Sequence, residues 1–93
     1  MRNDMEHIDS WQVGNLQFRL FRGPREHFGD RPHYNLVGID DGGVRRIDHW
    51  FDWWHRTDLS PEDLAEVVAA APTNARRRMR RAMALTAQKP GEV

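Results

Sequence analysis

The run Asp40-Asp41-Gly42-Gly43 separates two β-prone segments of similar length, HYNLVGID and VRRIDHWF. Aspartate bonds readily to its own backbone, and glycine takes positive φ without steric cost, so both are turn residues. Such a turn between matched runs demands an antiparallel hairpin, and so a sheet whose neighbouring strands have short connections. Upstream, WQVGNLQFRLFRG alternates apolar and polar side chains, with Trp11 and Val13, then Leu16, Phe18 and Leu20, in phase. Period two marks a half-buried strand. Gly14-Asn15 reads either as a tight two-residue hairpin turn or as a bulge at Gly14 in one unbroken strand. The glycine- and proline-rich GPREHFGDRP that follows reads as a surface loop.

IDHWFDWWH fits two periods. As a strand, Ile47, His49, Phe51 and Trp53 share a face; as a helix, Ile47, Trp50, Phe51 and Trp54 do. The hairpin needs a partner for residues 34–40, which favours a strand to about Phe51, with Trp53 and Trp54 turning off the sheet edge. Neither period buries all three tryptophans of this stretch. Trp53 or Trp54, beside Arg56, is therefore a candidate partner-binding surface, while most of the aromatic cluster is expected in the core.

LSPEDLAEVVAAA carries the strongest helix signal. Ser60 is an N-cap, Pro61 stands at the first helical position, Asp63 falls where a capping-box acid belongs, and Leu59 can staple to Leu64. Leu64, Val67, Val68 and Ala71 make one apolar stripe. Pro72 ends this helix and Thr73 is expected to cap a second, in which Ala75, Met79, Ala82, Met83 and Thr86 share a narrow face. The fold class that follows is α+β: a small three- or four-stranded antiparallel sheet with two short C-terminal helices packed on one face. Ninety-three residues make one domain, expected over residues 10–87, between a flexible N-terminal segment 1–9 and a flexible tail 88–93. A chain of this size buries only about 60–65% of its unfolded surface, so a binding face is easier to build than a deep cleft.

The second helix breaks local electrostatic rules. Arg76, Arg77, Arg78, Arg80 and Arg81 crowd its first turns, where the macrodipole disfavours cations. Arg76 with Arg80, and Arg77 with Arg81, are like-charge pairs at i,i+4, each costing about 0.2–0.5 kcal/mol. The chain is neutral overall, yet residues 1–75 hold eight Arg against thirteen Asp and Glu, while residues 76–93 hold five Arg and Lys89 against Glu92. A bound anion would relieve both costs, and the guanidinium fork fits phosphate.

The leading expectation is a small non-enzymatic, regulatory or accessory binding protein that sets these five arginines against a nucleic-acid backbone, DNA or RNA. The alternative is a protein-interaction module, self-associating or directed at an acidic partner, using Trp53, Trp54 and Arg56 with the arginine helix. A basic face matched only to the acidic body of the chain is the third reading.

Other chemistry is poorly represented. The chain has no cysteine, which excludes disulfides and thiolate metal sites. His49, Asp52 and His55 are the closest ligand-type cluster but match no metal-site spacing, so no metal or other cofactor is expected. GIDDGG lacks the lysine and hydroxyl of a phosphate loop. His33, His49 and Arg45 or Arg46 could serve a small nuclease, but no spacing selects them, and no enzyme is expected. No segment reaches membrane-span length and no signal peptide is evident, so a cytoplasmic location without a membrane partner is expected.

Overall fold

The computed structural model describes residues 5–23, 33–52 and 57–86. Four strands, β1 (Glu6–Val13), β2 (Leu16–Arg22), β3 (Tyr34–Ile39) and β4 (Arg45–Trp50), form one antiparallel sheet in sequential order, followed by α1 (Pro61–Ala69) and α2 (Thr73–Thr86). This is the expected α+β class, with four strands. Of the surface loop expected at residues 23–32, only Gly23 is among the described residues, and the C-terminal tail expected at 88–93 lies outside them.

Gly14-Asn15 is the two-residue turn, with Val13 paired to Leu16 and Gly14 at φ +60°. Positive φ at the first central residue alone is the type II′ geometry, whose twist suits a hairpin. No bulge sits at Gly14. The irregularity in β1 falls instead between His7 and Asp9. Glu6–Asp9 are strand residues, which corrects the flexible segment expected through residue 9. The bulge explains the missed pairing: it shifts the side-chain phase, so EHIDS shows no alternation in register with Trp11 and Val13.

In the second hairpin the Asp40 carboxylate accepts from the Gly42 and Val44 N–H groups, each at 2.9 Å, and from Arg46 Nε at 2.7 Å. The Val44 bond first, then Arg46, holds the Asp40 carboxyl below the usual carboxylate range. Gly43, at φ +82°, completes the reversal. β4 ends at Trp50, which settles residues 45–50 as strand.

One face of the sheet carries the core. Cross-strand pairs Trp11 with Phe18, Leu20 with Leu36, and Leu36 with His49 share it. Gly38 lies opposite Phe18, and a Cβ there would come within 3.0–3.1 Å of Ile47 and the Phe18 ring, so the ring fills the space a side chain would need. Leu64, Val67 and Val68 of α1, then Ala71, then Ala75, Met79 and Ala82 of α2, bury onto this face. The Trp11 indole N–H donates to the Val67 carbonyl at 3.1 Å, tying β1 to α1.

Ser60 Oγ accepts from the Asp63 N–H at 3.2 Å, the expected cap of α1. Thr73 does not cap α2. The Arg76 N–H bonds to the Pro72 carbonyl at 2.8 Å, so the helix starts one residue earlier and Thr73 is its first helical residue.

Candidate nucleic-acid interface

Helical geometry sets what each arginine of α2 can reach. With Ala75, Met79 and Ala82 buried against the sheet, Arg76 and Arg78 fall on the flanks of the helix and Arg77, Arg80 and Arg81 on its outer arc. Burial follows this division: Arg76 and Arg78 are half-buried, and the other three are exposed.

Arg76 bridges the two helices. Its guanidinium donates to the carbonyls of Ala69 (3.5 Å) and Ala71 (3.4 Å) at the C-terminal end of α1, and to Thr73 Oγ1 (3.4 Å). These carbonyls form the negative end of α1's dipole, where a cation is favoured. Arg78 Nη1 reaches the Tyr34 hydroxyl on β3 at 3.1 Å. Asn74 Oδ1 accepts from Arg77 at 3.4 Å and from Arg78 at 3.3 Å. Arg80 and Arg81 make no hydrogen bond among the described residues.

None of the five arginines forms an ion pair with a carboxylate among the described residues; the pairs present are Arg46 with Asp40, Arg45 with Asp48, and His33 with Asp52. The charge split between body and helix is thus not closed by internal pairing there. α2 contains no acidic residue.

Comparison with protein-family models, curated proteins and solved structures finds no match to this chain.

The remaining sequence candidates disperse. Trp53, Trp54 and Arg56 lie outside the described residues, as does His55. Trp50 is half-buried with its ring stacked 4.6 Å from His33, and Phe51 is in the core. His49 is buried, its Nδ1 accepting the Leu59 N–H at 3.3 Å, and His33 is buried with its Nδ1 3.7 Å from Asp52. Arg45, by contrast, is exposed on the sheet surface. Among the described residues no group of three or more His, Asp or Glu is placed to hold a metal ion. No helix among them is long and apolar enough to cross a membrane.

Sequence reasoning missed the face of the sheet opposite the helices. Phe21 lies there with Gln17 and Arg19, out of phase with Leu16, Phe18 and Leu20. The signal was present: an aromatic residue on the polar beat of an otherwise clean alternation.

Proposed function

We propose that this chain is a small regulatory or accessory binding protein that contacts a nucleic-acid phosphate backbone through the outer arc of α2. The observation that carries the reading is the set Arg77, Arg80 and Arg81: exposed, on one arc, and without a carboxylate partner among the described residues. Their helix is anchored on its opposite side by Ala75, Met79 and Ala82, so the charges are presented from a fixed support. Arg76 and Arg78 belong to the support, since their guanidinium groups hold α1 and Tyr34.

The protein-interaction alternative would draw on sheet edges and exposed tryptophan. Both edges carry obstacles. In β1 the outward Ser10 N–H is bonded to Asp9 Oδ1 at 2.8 Å, and in β4 the outward Asp48 N–H is bonded to Asp58 Oδ2 at 2.7 Å. Capped amides are poor templates for an added strand.

The test is binding of labelled duplex DNA, single-stranded DNA and single-stranded RNA across a salt series. The wild-type protein is expected to bind with log K falling linearly in log salt, and Arg77→Glu with Arg81→Glu to abolish binding while the circular dichroism spectrum is unchanged. Absence of binding at low salt for all three probes would remove the reading. Loss of the fold in the double variant would point to an internal role for these side chains.

A further inference from the structure

The helices cover one face of the sheet; on the other, Asn35 and Val37 at the centre of β3 are buried, and the accessible side chains are His7, Gln17, Arg19 and Arg45 around the half-buried Phe21. Register places His7, Phe21, Asn35 and Trp50 in one row across all four strands of that face. The next row is Ser10, Arg19, Val37 and Asp48, and beyond it Gln12, Gln17, Ile39 and Arg45. The half-buried Phe21 ring, tilted against His7 at 5.5 Å, is a ridge between two hollows. One, of about 180 Å³, is bordered by Arg45, and the other, of about 400 Å³, by Arg19.

The chemistry around the ridge narrows the ligand. A purely apolar partner would leave both guanidinium groups facing a surface that cannot pair with them. Arg19 Nε donates to Gln17 Oε1 at 3.0 Å, which orients the fork and leaves its terminal amino groups open. Asp48, the single carboxylate in these three rows, is held by Asn35 Nδ2 at 2.8 Å and lies 3.8 Å from Arg45. An aromatic face flanked by cations and side-chain amides suits a flat heterocycle joined to an anion. Unpaired bases on a phosphate backbone have that form, and they stack on rings presented by a sheet.

We infer that the part of this face around Phe21 is a stacking platform for unpaired bases of a single-stranded nucleic acid, with Phe21 under a base and Arg19 and Arg45 beside the phosphates. This rests on the proposed function only for the partner's chemical class, because the face lies opposite α2.

The experiment measures binding of a fluorescein-labelled single-stranded RNA and DNA of about 12 nucleotides, and of the matching duplex, to the full chain. Phe21→Ala is expected to weaken single-strand binding roughly tenfold or more and leave duplex binding unchanged, with Phe21→Tyr restoring the wild-type value. Should Phe21→Ala fail to fold, Phe21→Leu, which keeps apolar bulk without a ring, carries the same expectation. Single-strand binding unaltered in the Phe21 variants, or lost equally for duplex, overturns the platform. Loss for every probe in the Arg77/Arg81 reversal, with Phe21 variants unaffected, keeps the α2 reading and overturns this one. Loss of single-strand binding in the Phe21 variants, with the reversal unaffected, keeps the platform and overturns the α2 reading. No binding of any probe overturns both.

Discussion

Arg76 occupies the fourth residue of α2, where that helix's dipole opposes a cation, yet its guanidinium sits at the carbonyl end of α1, where a cation is favoured. The second effect outweighs the first, because the hydrogen bonds go to α1 and are charge-assisted. Arg76→Met keeps the aliphatic stem and removes these bonds. It is expected to cost about 0.5–1.5 kcal/mol by urea denaturation and to leave nucleic-acid binding intact, the reverse of the Arg77/Arg81 reversal. His49 makes a different demand. Burial pushes its imidazole below the ordinary histidine value, against the opposing pull of Asp58 and Asp52. The folded state thus holds His49 neutral, and the unfolded chain takes up its proton first as pH falls. Stability from this residue is complete above about pH 7 and is lost as pH drops through 6.5 toward the lower folded value. The urea midpoint should fall over that window, and His49→Gln should flatten that part of the profile.

Among the elements, the edge strands combine protection and cost. β1 carries a bulge and Asp9, and β4 carries Asp58 from the segment before α1. Asp9→Ala together with Asp58→Ala frees two outward amides and is expected to increase concentration-dependent self-association over that of the wild type, read by sedimentation velocity. The hairpins and α1 were legible in the sequence because their signals are local: Gly14 and Gly43 where φ is positive, and Ser60 with Pro61 where a helix must begin. The first half of β1 was not legible, since its bulge disrupts the period that marks a strand. The start of α2 was misplaced by one residue because Thr73 looks like a cap while the Pro72 carbonyl takes that position. The outer arc of arginines could be drawn on a helical wheel. Which of the five are engaged could not, because their partners are carbonyls of α1 and a tyrosine 44 residues away. Alternation alone did not assign Phe21, because it marks the core-facing members of a strand and leaves the opposite phase unassigned.

On the scale of the whole molecule, an acidic body carries a basic helix whose arginines have no carboxylate partner among the described residues, so the chain is neutral in sum and strongly polar in distribution. Attraction of a polyanion to one side should orient the encounter, and the salt slope should report only the few charges that reach phosphate. On duplex DNA, which engages α2 alone, three arginines correspond to a slope of roughly −2 to −3 in log K against log salt, shallow for a nucleic-acid binder. A slope of that size in the wild type is the expected result of the duplex titration proposed above. The sequential strand order has a kinetic side as well. Each strand pairs with the one just made, so the sheet needs only brief loop closures, which take on the order of microseconds for a hairpin. The indole of Trp11 must instead find the Val67 carbonyl 56 residues further on. Helix docking, rather than strand pairing, should therefore set the pace at which the chain reaches its native state.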